Sequence, residues 1–283
     1  MDHLSTDEDQ HPSVGLEHLT LREESLPVFV AAAVAGGADS ICMSVNHPGL
    51  QDRRELSETL SRLRASDIPI AMGDGFLVSP TAGKAGLDAL RRRLDVLAEF
   101  GAPLANTCAF EPDPDLRRDP GCVEDVLGEF CQVARTAGVD VLIEFTPLSH
   151  VPSLAAAVGL VERLDQPNLR ILVDTLHLAR AGEGPDDLRQ VDRRLIGYCQ
   201  LSDGLRAPGI SSDYLDEAMN ERAIPGTGEF PLAEVVSLLP RDVVVSAEVP
   251  LRGLQRAGVS PEERARRILD GARRVVTRAR SLQ

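Results

Sequence analysis

Short, continuously apolar runs alternate with amphipathic stretches along the whole chain, and this alternation is what most restricts the fold. The apolar runs lie near residues 13–20, 39–45, 68–72, 103–109, 139–144, 169–174, 195–201 and 242–248. Helical patterns lie between and after them, near 26–36, 53–66, 86–100, 120–137, 151–164, 184–191, 231–238 and 260–279. Strands that are apolar on both faces are expected where both faces are buried. Eight such strand–helix units with no long linker predict a single closed (β/α)8 barrel, an α/β fold. An open doubly wound sheet is the runner-up. It predicts a GxGxxG fingerprint after the first strand, and none is present.

The barrel is expected to occupy residues 13–283 as one catalytic domain, after an acidic, disordered tail over residues 1–12. The stretch 86–100 carries Leu87, Leu90, Leu94 and Leu97 at helical spacing. Asp119-Pro120 and Ser260-Pro261 place a capping residue before a proline, which reads as a helix start. The longest irregular stretch, 203–230, follows the seventh strand and includes YLDEAMNE, read as a short helix. A long loop at the catalytic face of a barrel is usually functional.

Net charge is −14 and the sequence pI is about 4.9. Nucleic-acid binders normally present a basic face, so no nucleic-acid partner is expected. No apolar run is long enough to span a membrane, and residues 1–12 lack the basic start and apolar core of a secretory signal. The five cysteines form no CxxC pair and read as small buried thiols in a reducing compartment, so a cytoplasmic location is expected. Lys84 is the only lysine and lies in a Gly-containing loop, which argues against Schiff-base chemistry.

Four polar residues sit at or near the ends of the last four apolar runs. They are Glu144 in VDVLIEFTP, Asp174 in LRILVDTLH, Gln200 in LIGYCQLSD and Glu248 in DVVVSAEVP. In a parallel barrel all strand C-termini point to one face, so neighbouring strands can bring these side chains together. Three carboxylates gathered without compensation repel one another, and a divalent cation relieves the repulsion. The predicted ligands are therefore Glu144, Asp174, Gln200 and Glu248. An all-oxygen set suits Mn²⁺ or Mg²⁺ best, with Co²⁺ and Zn²⁺ as further options.

The segments IEFTP, VDTLHLAR, QLSDG, PGTGEFPL and AEVP resemble those of the xylose isomerase-like barrel family of sugar phosphate isomerases and epimerases. The resemblance implies one divalent metal on Glu144, Asp174, Gln200 and Glu248. It also implies a substrate-side histidine three residues after the strand-six aspartate, at His177. Many epimerases of that family carry histidine where this chain has Gln200. Glutamine there resembles 3-dehydroshikimate dehydratases and hydroxypyruvate isomerases. Members are often dimers or tetramers, so the resemblance also raises a homo-oligomer.

The chemistry expected of such a site is proton transfer next to the carbonyl of a sugar or polyol-derived hydroxy-ketone, through an enediolate. Glu144 and Glu248 would abstract and return the proton, giving isomerisation or epimerisation. Loss of a β-hydroxyl instead would make the enzyme a dehydratase of a cyclic hydroxy-ketone such as 3-dehydroshikimate, with His177 protonating the leaving group. His177, Asp203, Arg206, Arg222, His47 and Asn106 are the expected substrate contacts, with Asp74 as a further polar residue of the rim and His18, inside the first strand, as a residue able to point into the barrel. PGTGEF lacks the GxxxxGK[ST] pattern and reads as a tight turn. The arginine-rich segment ERARRILDGARRVVTRARS reads as the solvated face of the last helix. Two other classes stay open: a repair endonuclease of the same superfamily, disfavoured by the acidic charge, and a non-catalytic metal-binding barrel subunit.

Overall fold

A computed structural model describes residues 13–81, 83–110, 119–206 and 214–283. The segment 1–12, expected to be a disordered tail, and residues 207–213 of the long loop lie outside the described residues. Eight parallel strands close into a barrel in sequence order: β1 Gly15–Glu17, β2 Ser40–Ser44, β3 Ile70–Leu77, β4 Leu104–Cys108, β5 Asp140–Glu144, β6 Leu169–Asp174, β7 Ile196–Leu201 and β8 Val244–Ala247. Closure is made where Gly15 and Leu16 of β1 pair with Ser246 and Ala247 of β8. Glycine is needed at 15, because a Cβ there would lie 2.8 Å from the hydroxyls of both Ser40 and Ser246.

The apolar runs form strands because two cores flank them. A large core lies between the sheet and the surrounding helices, with Leu16, Ile41, Ile143, Val173 and Ala247 among its members. A smaller plug fills the barrel interior and consists of Cys42, Met72, Leu104, Leu142, Leu172 and Tyr198. Successive side chains of a strand alternate between faces. Two residues beyond each of five plug residues therefore stand Asp74, Asn106, Glu144, Asp174 and Gln200, again facing the barrel interior. The hydrophobic plug is thus the floor on which a polar layer rests.

Three differences from the sequence reading matter for that layer. The first strand ends at Glu17, and His18–Leu21 turns into a 3-10 helix, so His18 is not a strand residue. The third strand runs to Leu77, beyond the apolar run 68–72, so Asp74 lies within it rather than near its end. A register shift follows Gly73, and Gly75 adopts a φ of +103°, which a side chain would resist. Two short helices were not predicted, Thr175–Arg180 directly after β6 and Arg252–Arg256 after β8. Both are too short for helical periodicity to show, and the first also opens directly at the end of an apolar strand.

The main helices follow the sequence closely. Leu87, Leu90, Leu94 and Leu97 form the buried stripe of Gly83–Phe100. Ser260 caps Pro261–Arg280 by accepting the Glu263 N–H, while Asp119 accepts the Gly121 N–H ahead of Glu124–Thr136. YLDEAMNE does contain a helix, Tyr214–Asn220. In the arginine-rich last helix, Arg264 departs from the solvated reading. It is buried and paired with Glu23 and Glu24 beside β1. No helix among the described residues is long and apolar enough to cross a membrane.

Leu142→Ala tests whether the plug supports the site. Deleting this buried side chain is expected to cost about 2–5 kcal/mol, measured as a lower midpoint in urea unfolding.

Candidate functional site

The four residues expected to hold a metal all reach the same barrel mouth. They form a continuous chain of polar contacts. Glu144 Oε1 lies 3.3 Å from His177 Nε2, which lies 3.5 Å from Asp174 Oδ2. Arg222 follows, with Nη1 2.8 Å from Asp174 Oδ2 and Nη2 2.8 Å from Glu248 Oε2. Gln200 Nε2 donates to Glu248 Oε1 at 3.1 Å. Asp174 and Gln200 are direct partners in the β6–β7 register, and the Glu248 N–H donates to the Leu201 carbonyl.

Each ligand candidate is oriented by its own strand end. Asp174 caps the helix Thr175–Arg180, its Oδ1 accepting the N–H groups of Leu176 and His177 at 2.7 and 3.4 Å. This leaves Oδ2 turned toward the mouth. Burial acts to raise the Asp174 carboxyl, but Arg222 and His177 outweigh it and hold it below the ordinary 3.8. Asn106 Nδ2 bridges Glu144 Oε2 at 2.7 Å and Asp74 Oδ1 at 3.1 Å. The His177 ring is fixed on its other side, where Nδ1 meets the Tyr214 hydroxyl at 2.8 Å, and that hydroxyl meets Thr146 Oγ1 at 2.6 Å.

The electrostatics favour a cation. Among the described residues, Asp174, Glu248 and Glu144 act on the buried guanidinium of Arg222, and Glu17 and Asp74 add two further carboxyls to the same cluster. Burial opposes the Arg222 charge, but Asp174 and Glu248 outweigh it and keep the group firmly protonated. Burial raises the Glu248 carboxyl well above its usual range. Arg222 partly offsets this, and Asp174, Glu144 and Glu17 add to it. Glu144, Asp174 and His177 offer ligand atoms that all lie within 4.8 Å of one another. Gln200 Oε1 and Asn106 Oδ1 are buried with no hydrogen-bond partner. Crowded acids beside orphaned acceptor oxygens are the surroundings that a divalent ion fits.

The expected substrate contacts separate into groups. His177 and Asn106 are buried within the polar chain itself. Arg222 is also buried there, held between two ligand candidates, with Nε donating to the Ala218 carbonyl. Asp203 is engaged in building the loop after β7. Its two carboxylate oxygens accept the N–H groups of Gly204, Phe230, Gly226 and Gly228 at 2.9–3.1 Å, which folds the PGTGEF turn. Arg206 is exposed and lines a 380 Å³ cavity beside Thr175–Arg180, together with Phe230. His47 caps the turn after β2, its Nδ1 accepting the Gly49 N–H, and its ring stands edge-on to His18 at 5.0 Å. His18 is buried, and desolvation followed by the nearby His47 lowers its pKa to about 3.

Two acids, the half-buried Asp74 and the buried Glu17, escape the sequence reading in part or whole. Asp74 entered it only as a rim residue, and Glu17 did not enter it. Their signal is the inward alternation: each lies in an apolar strand, two residues after a position that faces the barrel interior. Tyr214 and Thr146, which hold His177, lie far from it in sequence and had no local signal.

A family model described as xylose isomerase-like TIM barrel matches residues 30–279. The 3-dehydroshikimate dehydratase of Pseudomonas aeruginosa is 27% identical over 148 residues, covering 52% of this chain. That match spans only 23% of the relative's own length. Among solved structures, the IolI protein with a bound zinc atom superposes with a TM-score of 0.81 at 18% identity, covering 95% of this chain and 99% of its own. A D-psicose 3-epimerase from Clostridium cellulolyticum superposes with a TM-score of 0.73 at 14% identity, covering 94% and 99%. At these identities the superpositions establish a common barrel.

The Asp74 carboxyl is pushed up to about 7 by desolvation, then by Glu144 and Glu17, from an ordinary 3.8. The folded state therefore holds this proton more tightly than the unfolded chain. The stability it contributes is complete below the ordinary value and is lost as pH rises through about 7. Metal-free protein is expected to weaken over this window, and Asp74→Asn to flatten the decline, read from urea midpoints at a series of pH values.

Proposed function

The chain belongs to the xylose isomerase-like TIM barrel family, and from that premise we propose a divalent-metal-dependent isomerase or epimerase acting on a sugar or polyol-derived hydroxy-ketone. The observation that carries this reading is the convergence of Glu144, Asp174 and His177 at the barrel mouth, with ligand atoms within 4.8 Å. Glu144, Asp174, Gln200 and Glu248 would hold the ion, with Mn²⁺ or Mg²⁺ favoured by the oxygen donors. The bound zinc of the IolI structure supports a cation in a barrel of this shape. Such an ion supplies Lewis acidity to a substrate carbonyl, which eases loss of the proton from the adjacent carbon.

The protein's own groups supply the proton transfers. Glu144 and Glu248 approach the centre from strands on different sides of the mouth and serve as the pair that removes and returns a proton. Asn106 holds Glu144 through Oε2 and leaves Oε1 facing His177. His177 donates or accepts at Nε2, while Tyr214 and Thr146 hold its ring by Nδ1. Arg222 keeps Asp174 ionised. Arg206 and His47 stand further out, where they would meet the rest of the substrate.

Elimination of water from a cyclic hydroxy-ketone is a second reading with specific support. Arg222 and Gln200 both engage Glu248, which restrains it as a second free base. Removal of a proton and protonation of a leaving hydroxyl can be served by His177 alone. The dehydratase of P. aeruginosa supports the same direction. Deuterium separates the two. An isomerase or epimerase incorporates solvent deuterium into recovered ketone without loss of water. A dehydratase forms an enone that absorbs in the ultraviolet.

Protein prepared with Mn²⁺ and screened against open-chain and cyclic hydroxy-ketones is expected to turn over one class. Glu248→Gln is expected to lower that turnover by roughly 10²–10⁴-fold. Full activity in this variant removes Glu248 from acid–base duty. Metal-loaded protein that acts on none of these ketones, yet copurifies with another chain, would favour the non-catalytic barrel.

A further inference from the structure

Glu17 is a buried acid at the end of β1, 1% exposed, for which the proton transfers above have no use. Its Oε1 accepts the Tyr198 hydroxyl at 2.8 Å, and its Oε2 lies 3.5 Å from Gln200 Nε2. The same Nε2 donates to Glu248 Oε1 at 3.1 Å. An amide has two unlike ends: the NH₂ group donates two hydrogen bonds, and the carbonyl oxygen only accepts. Here both NH₂ hydrogens have a carboxyl oxygen to meet. Rotating the amide by half a turn would place its carbonyl oxygen against the same two acids. The opposite end, Gln200 Oε1, is left buried and without a partner.

We infer that Glu17 is a positioning residue, which fixes the Gln200 amide so that its carbonyl oxygen is presented to the cation. This inference rests on the metal-dependent reading above. Glu248 cannot perform the task alone, because it is a ligand candidate and is also engaged by Arg222 Nη2. A single hydrogen bond would leave the amide plane free to swivel, whereas two fix it. Glu17 is itself held rigidly, since Tyr198 belongs to the plug at the barrel centre. The contact crosses the closing seam of the sheet. β1 and β7 both pair with β8, and Ser246 is the register partner of Gly15 on one side and Gln200 on the other. The small Ser246 side chain leaves room for Glu17 to reach across. Outer groups that orient a metal ligand in this way commonly change metal affinity by about 10–100-fold when removed.

The test measures Mn²⁺ affinity from the electron paramagnetic resonance signal of the free ion. Wild type is compared with Glu17→Met, Glu17→Gln, Gln200→Ala and the double variant Glu17→Met/Gln200→Ala, with the melting temperature of each metal-free protein recorded beside it. Glu17→Met removes the acceptor and is expected to weaken Mn²⁺ binding by about 10–100-fold. Glu17→Gln keeps an accepting oxygen at the same reach and is expected to restore most of that affinity. In the Gln200→Ala background Glu17→Met is expected to add little, because its effect passes through Gln200. Glu17→Ala replaces Glu17→Met if the latter does not fold. Unchanged affinity in a folded acceptor-free variant overturns the inference, whatever happens to its melting temperature. So does an equal loss in Glu17→Gln, or an undiminished effect without Gln200. Wild-type protein that retains no Mn²⁺ at all removes the metal-dependent reading, and this inference with it.

Discussion

Crowding of like charge at the barrel mouth is the constraint around which the rest of the molecule is arranged. Five carboxyl groups gather among the described residues there, and one buried guanidinium, Arg222, stands between Asp174 and Glu248. Such a cluster is costly unless each group has a defined partner. The partners are present: Asn106 for Glu144 and Asp74, helix N–H groups for Asp174, Tyr198 and Gln200 for Glu17. They come from β4, from β7 and from the helix that opens at the end of β6. A loose sheet could not keep these distances, whereas a closed barrel filled by an apolar plug can.

The loop after β7 shows how the scaffold extends to the chemistry. Asp203 gathers four backbone N–H groups and shapes the PGTGEF turn. Arg180 pairs with Glu217 and bonds the Leu205 carbonyl, tying Tyr214–Asn220 to the helix that carries His177. Tyr214 then reaches the His177 ring. Residues that resemble substrate contacts in sequence are therefore divided between direct placement at the mouth and support of the loop. Asp203 belongs to the second group because its lone pairs already face amide hydrogens.

Much of the fold and part of the candidate site are legible in the sequence. The runs ending in Glu144, Asp174, Gln200 and Glu248 are strands because apolar residues on both faces can be covered only inside an α/β barrel, and their polar ends then share one rim. Glu17 was hidden for the opposite reason. It lies in a short run near residue 17, far along the chain from Gln200, and only ring closure makes β1 a neighbour of β8. Asp74 lies just beyond the apolar run 68–72 and so reads only as a rim residue, whereas β3 continues through its glycine neighbours with a local irregularity. Tyr214 and Arg222 sit in a stretch without strand periodicity, so nothing local links them to His177 or Asp174.

By itself the sequence determined the number and order of strands, the helix starts at Ser260 and Asp119, and the positions of four polar residues at the ends of the last four strands. These depend on hydrophobic periodicity and capping, which act over a few residues. The tertiary structure alone decided which atom of each donor faces the mouth, that Arg222 lies between two of the acids, and that Glu17 meets Gln200 across the seam. Those outcomes depend on distances between segments up to about two hundred residues apart, and short-range pattern carries no information about them until the ring is closed.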